Sequence, residues 1–347
     1  MKYTEIKNTG IKIPSIIFGT SALGNLYKSL DRNTKLEIVR ECLNSVDGPV
    51  VFDSAGKYGA GLALEELGRI LTELKVEPEK AVISNKLGWL RTKLITAEPT
   101  FEKGVWIDIN FDARQEISKD GIIRCLEQGK QLLGARYQAR MLSVHDPDEY
   151  LAQAGDDQEL RNKLFDDIIE AYKILFEFKK MNPPMAVGIG AKDWKVIRKI
   201  TEHIDLDWVM IANSLTLYSH PEELVKFMSV QGDRGITIIN SAVFNGGFLI
   251  GGDYFNYRPM NKDNPEELKV FKWRESFFKL CDKFRVKPSH ACIRFGMSHP
   301  AVCSIALNTS DPGHVKRNVF ELDNDVPEGL FSAMKEKGLI DKSYSFV

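Results

Sequence analysis

Short apolar runs alternate with longer amphipathic segments along most of the chain. This alternation is typical of βα units arranged around a parallel sheet. The apolar runs predict eight strands, at residues 15–18, 50–53, 81–85, 141–144, 185–189, 208–211, 236–240 and 302–306. The intervening segments carry apolar residues at helical spacing and predict eight helices, at residues 34–45, 62–74, 119–133, 160–180, 194–203, 221–229, 265–284 and 312–320. Eight such units predict an α/β fold of the (β/α)8 TIM barrel type.

The start of the chain and two of its connections add detail to the predicted barrel. Residues 2–6 and 11–14 flank Asn8-Thr9-Gly10, which predicts an N-terminal β-hairpin that closes the bottom of the barrel. The connections after the third and seventh strands are long, at residues 87–118 and 242–264. Because both follow strands, we expect them to overhang the rim where a barrel binds its ligands. No linker or repeat divides the chain, so we expect residues 1–347 to form one domain.

Composition and charge favour an enzyme over several other classes of protein. The chain has 43% hydrophobic and 27% charged residues, a formal charge of −1 and a pI of about 6.6. Without a basic stripe, a nucleic acid is not expected as a partner. The five cysteines are scattered without a Cys-x-x-Cys pair, which disfavours a disulfide framework or a zinc site. The polar N-terminus and the lack of a membrane-length apolar run favour the cytoplasm.

Four chemically reactive side chains lie at or just after the ends of three predicted strands. Asp53 and Tyr58 follow the second strand, Lys86 follows the third, and His145 follows the fourth. In a parallel barrel the carboxyl ends of all strands meet at one rim, so we expect these groups to converge. Each has a structural alternative when taken singly, such as helix capping, ion pairing or core packing. Together, on three successive strands, they favour a catalytic site that moves a proton to or from a sugar or aldehyde oxygen.

The residues around these positions resemble the aldo-keto reductase family. Residues 52–59 (FDSAGKYG) and 64–68 (LEELG) match the Asp-x-Ala-x-x-Tyr-Gly and Glu-x-x-Leu-Gly motifs, and the spacing is specific. Residues 84–88 (SNKLG) match the lysine context of the family, and the segment VHDPD at 144–148 is most similar to the branch of D-threo-aldose 1-dehydrogenases and L-fucose dehydrogenases. The resemblance extends over nearly the whole chain.

The chemistry of the four side chains agrees with what the resemblance implies. A free tyrosine titrates near ~10, and a nearby ammonium lowers the pKa of its phenol. We therefore expect Lys86 to lower the pKa of Tyr58, the general acid or base, and Asp53 to hold Lys86 in place. Neutral His145 is expected to orient the reacting oxygen by a hydrogen bond. A nicotinamide cofactor is expected to carry the hydride, because no side chain does so.

The cofactor site predicted from the sequence is of the barrel type. No Gly-x-Gly-x-x-Gly follows the first strand, so a Rossmann site is disfavoured. Residues 308–312 precede a helix whose first turn would bind phosphate through free N–H groups. With the resemblance, the candidate cofactor residues are Gly19, Thr20, Asn213, Val243, Phe244, Asn245, Gly246, Leu249, Asn308, Ser310, His314 and Asn318. For Asn213, a buried side chain satisfied by the backbone is an equal alternative.

Three departures from the common family pattern concern the cofactor. Ser310 stands where members that prefer NADP often carry a basic residue, which favours NAD, whereas Lys316 and Arg317 nearby leave NADP open. The Ser-Asn pair that holds the nicotinamide amide is replaced by Gly190-Ala191. The stacking tyrosine is replaced by Ser241.

Substrate, metal and overall function complete the sequence-based predictions. Trp89 and Trp106 of the first long loop are candidates to pack against a sugar ring, the alternative being that they anchor the loop. No metal is expected, because the histidines do not cluster and the acidic segment 146–157 lacks the pattern of a calcium loop. We expect oxidation of the anomeric carbon of an aldose, of the L-fucose or D-threo type, to a lactone. The alternatives are an NADPH-dependent aldehyde or ketone reductase, a nicotinamide-binding regulatory subunit, and a metal-dependent barrel hydrolase or isomerase.

Overall fold

The computed structural model describes all residues from 1 to 347. Its strands are β1 (Tyr3–Glu5), β2 (Lys12–Pro14), β3 (Ile16–Gly19), β4 (Val50–Ala55), β5 (Ala81–Leu87), β6 (Trp89–Lys93), β7 (Phe111–Gln115), β8 (Ala139–His145), β9 (Ala186–Ala191), β10 (Trp208–Ala212), β11 (Thr237–Ser241), β12 (Tyr254–Phe255), β13 (Arg258–Pro259) and β14 (Val302–Asn308). Its α-helices are α1 (Arg32–Asn44), α2 (Leu62–Glu73), α3 (Lys119–Leu133), α4 (Pro147–Ala152), α5 (Gln158–Met181), α6 (Trp194–Thr201), α7 (Glu222–Asp233), α8 (Pro265–Phe284), α9 (Pro288–Gly296), α10 (Pro312–Asp323) and α11 (Leu330–Glu336).

Eight of the strands form a closed parallel barrel. Their order around the barrel is β3, β4, β5, β8, β9, β10, β11 and β14, with β14 pairing back to β3. Every neighbouring pair is parallel, because an amphipathic helix or a longer connection returns the chain to the same end each time. Each of the eight predicted strands overlaps one of these strands. The predicted (β/α)8 TIM barrel is confirmed.

The N-terminal hairpin is also confirmed, and it closes the barrel from below. β1 pairs antiparallel with β2, with Tyr3 opposite Pro14. The apolar side chains Ile6, Ile11 and Ile13 are buried in a cluster with Met141 and Trp208 from the barrel interior. Burial of these side chains removes apolar surface from water at the end of the barrel opposite the strand carboxyl ends.

The structure contains three helices that the sequence pattern did not predict. α4 is a six-residue helix directly after β8, and α9 begins at Pro288, close behind the end of α8. α11 buries Leu330 and Met334, which lie one turn apart near the C-terminus. Short helices carry too few periodic positions for their pattern to stand out from a loop. None of the helices has the length and apolar character needed to cross a membrane.

The two long loops carry structure of their own. The third loop, defined here as residues 88–118, contains the antiparallel pair β6 and β7 and buries Phe101 and Trp106 in a small apolar cluster. The seventh loop, residues 242–264, contains a single 3-10 turn (Phe248–Ile250) and the short pair β12 and β13. Both loops follow barrel strands, β5 and β11, and therefore lie on the carboxyl-end side of the barrel.

Candidate active site

Asp53, Lys86 and His145 lie at the carboxyl ends of three adjacent barrel strands. The registers of β4, β5 and β8 place Asp53 beside Ser84 and Lys86 beside Ser143. These strand ends form the floor of a cavity of about 580 Å³. Asp53, Tyr58, Lys86 and His145 all line this cavity, so the structure brings the four predicted catalytic residues together.

The turn between β4 and α2 holds Tyr58 over the cavity. Gly59 follows Tyr58 with a φ of 59°, in the left-handed region. A Cβ on Gly59 would lie 2.3 Å from the carbonyl oxygen of Gly24, so only glycine fits this approach. Gly24 ends the 3-10 turn after β3, and the close contact of the two glycines fixes the backbone on which Tyr58 stands.

Lys86 is paired with Asp53 below the Tyr58 ring. The Lys86 ammonium donates to Asp53 Oδ2, and the Ser84 hydroxyl donates to Asp53 Oδ1 at 3.0 Å. Both charged side chains are buried, so each supplies the countercharge that the other needs away from water. Gly190 leaves room for this lysine, because a Cβ on Gly190 would lie 3.0 Å from Lys86 Cδ.

Tyr58 is in contact with both Lys86 and His145. The Lys86 Nζ lies 4.7 Å from the centroid of the Tyr58 ring. The His145 ring meets the Tyr58 ring edge to face, with centroids 5.6 Å apart. His145 Nδ1 is buried without a hydrogen-bond partner in the protein. Tyr58 and His145 also line the same cavity, so a substrate oxygen bound there could contact both the phenol and the imidazole.

The predicted direction of the Tyr58 pKa is wrong in this structure. Burial raises the pKa of Tyr58 well above its usual value, and the carboxylates of Asp53 and Asp146 raise it further, while Lys57 partly opposes them. Burial is the largest cause, and the Lys86 ammonium, which is paired with Asp53, does not offset it. Tyr58 is thus a neutral phenol, and hence a proton donor, at neutral pH.

His145 is neutral, as expected from the sequence. Burial lowers the pKa of His145 well below its usual value, and the ammonium groups of Lys86, Lys57 and Lys192 lower it further, although Asp146 acts in the opposite sense. A neutral imidazole has one donor and one acceptor nitrogen. It can therefore hydrogen-bond an alcohol or a carbonyl oxygen without adding charge.

A buried network of charges beside Tyr58 was missed by the sequence analysis. Lys57 Nζ lies 2.9 Å from Glu102 Oε1, 3.0 Å from Asp146 Oδ2 and 2.7 Å from Glu149 Oε2. Lys192 adds a second cation, in contact with Glu149. The members of the network, Lys57 included, come from four different segments, so no local motif in the sequence indicates the network. The one available signal was a lysine directly before Tyr58 in a segment that had to be buried.

The cavity extends from the four catalytic candidates to the end of β14 and the start of α10. Its wall there includes seven of the predicted cofactor residues, which are Gly19, Phe244, Gly246, Asn308, Ser310, His314 and Asn318. Arg317 lines the same end, and its Nε is buried without a partner. Lys316 instead points away and pairs with Glu41 at 2.9 Å.

The other five predicted cofactor residues do not line the cavity. Thr20 donates from its hydroxyl to the carbonyl oxygen of Asp53 at 3.1 Å, which positions β4. Val243 and Leu249 are fully buried in the main apolar core. Asn245 donates to Asn256 Oδ1 at 2.9 Å within the seventh loop. Asn213 is buried with an unpartnered Oδ1, next to the lining residue Ala212.

The first turn of α10 is less open to an anion than the sequence suggested. Asp311 caps this helix, and its Oδ1 accepts from the N–H of Gly313 at 2.8 Å. The N–H of His314 bonds the carbonyl oxygen of Asp311, and Pro312 has no N–H. Side chains, rather than free backbone donors, are therefore the available partners for phosphate at this end of the cavity.

Aromatic side chains form the outer wall near Tyr58. Trp106 lines the cavity with its ring centroid 5.8 Å from that of Tyr58. Trp89, the second predicted substrate residue, lies behind the wall, with the Lys57 ammonium 4.8 Å from its ring centroid. Tyr27 and Tyr257 also line the cavity, although neither is among the predicted substrate residues Trp89 and Trp106.

The residues present fit a nicotinamide dinucleotide, the cofactor type expected from the sequence. One continuous cavity joins a proton-transfer site to a cationic end at which Arg317 Nε has no partner within the protein. The guanidinium group at this end is thus available to donate to an acceptor group of a bound cofactor. No group of three or more histidine, cysteine or acidic side chains is placed to hold a metal ion.

Comparison with known proteins agrees with the fold and the motifs. The model of the Aldo/keto reductase family matches residues 15–338. Among curated proteins, the chain is 28% identical to pyridoxal 4-dehydrogenase from Microbacterium luteolum, over 96% of each chain. It is 24% identical to D-threo-aldose 1-dehydrogenase from a Pseudomonas species, over 95% of this chain and 96% of that one.

Solved structures show the same fold at lower sequence identity. An aldo-keto reductase from Bacillus halodurans in its holo form has a TM-score of 0.67 and 18% identity, covering 99% of this chain and 98% of that one. A glycerol dehydrogenase from Gluconobacter oxydans has a TM-score of 0.66 and 16% identity, with the same coverage.

Proposed function

We propose that this chain, which belongs to the aldo/keto reductase family of oxidoreductases, oxidises the anomeric carbon of an aldose to a lactone. The favoured substrates are sugars of the L-fucose or D-threo type. The observation that carries the proposal is the placement of Tyr58 between the Lys86 ammonium and the His145 ring on the cavity floor. Tyrosine, lysine and histidine in that arrangement are suited to moving a proton at one oxygen.

The residues of the chain have separate tasks in this reaction. His145 binds the substrate oxygen and orients it toward Tyr58, with Asp53 holding Lys86 in place below the ring. Tyr58 as phenolate accepts the hydroxyl proton, which leaves the oxygen free to form the C=O bond of the lactone as the C–H bond breaks. When bound, the nicotinamide supplies the acceptor of the hydride. The Lys86 ammonium offsets the charge of the phenolate at 4.7 Å from the ring centroid.

The nicotinamide dinucleotide is proposed to be either NAD or NADP. Asn308, Ser310, His314 and Asn318 would hold its adenosine end, because they line the cavity around α10. Ser310 supplies no charge for the 2′-phosphate of NADP, which favours NAD as the sequence indicated. Arg317 is the one cation at this end that faces the cavity, and we propose that it supports NADP when that form binds.

Two further substrates are favoured by specific observations. The neutral state of Tyr58 suits proton donation, and therefore the reduction of an aldehyde or ketone with NADPH. Pyridoxal is the substrate in the name of one relative, and like an aldose it carries an aldehyde that can close onto a neighbouring hydroxyl. The rings of Tyr27, Trp106 and Tyr257 along the cavity suit a flat ring.

The test is an absorbance assay of purified protein at the reduced-nicotinamide band. NAD and NADP are each combined with L-fucose, other aldoses and pyridoxal, and NADH and NADPH with simple aldehydes. We expect oxidation of free aldoses, and we expect Tyr58→Phe to lower turnover by about 10²–10⁴-fold. Turnover of simple aldehydes alone would favour the reductase, and preferred oxidation of pyridoxal would favour that substrate. Turnover that Tyr58→Phe leaves unchanged would refute the mechanism, and absence of any turnover would favour a binding role.

A further inference from the structure

The turn that carries Tyr58 is joined to two other walls of the cavity through one buried side chain. Lys57 is 2% exposed, and its ammonium lies within 3.0 Å of three carboxylates, those of Glu102, Asp146 and Glu149. Glu102 belongs to the third loop, while Asp146 and Glu149 belong to the turn and helix after β8. A buried ammonium requires such partners, because an unpaired charge is costly away from water.

The contact with Glu102 leads to the aromatic wall over Tyr58. Glu102 Oε1 faces Lys57, and Glu102 Oε2 accepts from Trp106 Nε1 at 2.8 Å. The Trp106 ring in turn lies 5.8 Å from the Tyr58 ring, centroid to centroid. One carboxylate thus connects the lysine before Tyr58 to the tryptophan that covers it.

The contact with Asp146 leads to His145. Asp146 adopts a left-handed backbone conformation, with a φ of 47°, directly after His145. Its Oδ2 lies 3.0 Å from Lys57 Nζ and 3.5 Å from His145 Nε2. The carboxylate therefore lies between the Lys57 ammonium and the imidazole, and Lys57 is the nearer of its two cationic partners, since Lys192 Nζ lies 3.7 Å from the same oxygen.

We propose that Lys57 is a positioning residue for the reaction, because its ammonium holds the Trp106 wall and the His145 turn in fixed places around Tyr58. This role rests on the proposed function, in which Tyr58 and His145 handle the substrate oxygen. Lys57 itself acts through Glu102 and Asp146. Removal of Lys57 leaves Glu102 of the third loop without its ion-pair partner, and it leaves Asp146 with Lys192, at 3.7 Å, as its remaining cation.

The charges around Tyr58 set the sign of the expected electrostatic effect. The titratable or charged groups that face it are Asp53, Lys57, Lys86, Glu102, His145, Asp146 and Tyr257. Among them, Lys57 lowers the pKa of Tyr58, whereas Glu102 and Asp146 raise it. Loss of Lys57 and loss of the Glu102 charge are therefore expected to shift the titration of position 58 in opposite directions.

The first experiment measures that titration without turnover. A fluorinated tyrosine, whose phenol is more acidic, is placed at position 58 and followed by ¹⁹F NMR against pH. We expect Lys57→Met to raise its midpoint by roughly one pH unit and Glu102→Gln to lower it by a similar amount. Lys226→Met, which removes an exposed lysine on α7, serves as the charge control and is expected to cause no shift.

The second experiment measures the aromatic wall. Glu102→Gln keeps an oxygen that can accept from Trp106 Nε1, whereas Glu102→Ala does not. We expect Glu102→Ala and Lys57→Met to raise KM roughly 3–10-fold, on the scale of one lost hydrogen bond. Both variants are also expected to make the fluorescence of Trp106 more accessible to quenching by acrylamide. The contribution of Trp106 is identified as the part of the fluorescence that is lost in Trp106→Phe. Glu102→Gln, whose single side-chain oxygen can keep only one of the two contacts, should raise both KM and quenching by a smaller amount.

The outcomes separate this proposal from the proposed function. The positioning role would be overturned if Lys57→Met folds and leaves three quantities unchanged: the titration midpoint at position 58, the KM, and the quenching of Trp106 fluorescence. If Lys57→Met does not fold, the two Glu102 variants decide in its place, and equal KM and quenching for both would overturn it. Quenching and NMR need no substrate, so a protein that oxidises nothing in the panel would count against the proposed function alone.

Discussion

The buried pair of Lys86 and Asp53 makes a prediction about stability as well as about catalysis. The two side chains are 3% and 5% exposed, and the Lys86 ammonium has one carboxylate partner. Asp53→Asn removes the charge of that partner while keeping the shape of the side chain and an oxygen for the Ser84 hydroxyl. The variant therefore leaves a buried ammonium without a countercharge.

The expected cost follows from the burial of this pair. Breaking a buried ion pair by removing one partner costs about 3–5 kcal/mol. With an unfolding entropy of about 2 cal/mol/K per residue, this lowers the midpoint of thermal unfolding by roughly 4–7 °C in a chain of 347 residues. The control is Glu222→Gln in the exposed pair with Lys226, where both side chains are at least 67% exposed. That change is expected to leave the midpoint almost unchanged, because solvent screens an exposed pair.

A double variant tests whether the unpaired charge is the cause. Asp53→Asn combined with Lys86→Met removes the ammonium as well, so we expect the double variant to be more stable than Asp53→Asn alone. Differential scanning calorimetry measures all the variants under one set of conditions. A midpoint for Asp53→Asn no lower than that for Glu222→Gln would refute the reasoning. The reasoning would also be refuted if the decrease in the unfolding midpoint of the double variant equalled the sum of the decreases for Asp53→Asn and Lys86→Met alone.

Two further predictions concern the reaction. Because burial raises the pKa of Tyr58 and oxidation needs its phenolate, we expect the rate of oxidation to increase from pH 7 to pH 10. The rate of reduction, which needs the phenol, is expected to stay level over that range. Initial rates measured in both directions test this, and an oxidation optimum near pH 7 would contradict it. Since Arg317 lines the cofactor end of the cavity, we expect Arg317→Leu to weaken NADP(H) binding by roughly 10–100-fold and NAD(H) binding by less than about 3-fold. Titrations of reduced-nicotinamide fluorescence measure both affinities, with Lys316→Leu as the matched control. An equal loss of affinity for both cofactors would refute this role for Arg317.

Much of the architecture could be predicted because its causes are local. Strand and helix periodicity repeats within a few residues, so eight βα units and the hairpin are visible in the order of apolar and polar positions. The convergence of Asp53, Lys86 and His145 then requires one further premise, that parallel strands deliver their carboxyl ends to a common rim. The short helices α4, α9 and α11 escaped because so few positions carry their pattern.

The details of the site depend on how loops fold back over that rim. Trp106 reaches the cavity and Trp89 does not, and Arg317 faces inward where its neighbour Lys316 faces Glu41. These outcomes follow from loop conformation and helix rotation, which the pattern along the chain leaves undetermined.

The sequence by itself determined the barrel and the strand ends that carry Asp53, Lys86 and His145. Only the tertiary structure decided that Tyr58 has a raised pKa and that Lys57 meets Asp146, 89 residues further along the chain. The physical reason is that periodicity acts over a few residues, whereas burial and charge depend on every group brought near in space. The pKa of a side chain is therefore set by all the groups that the fold places around it.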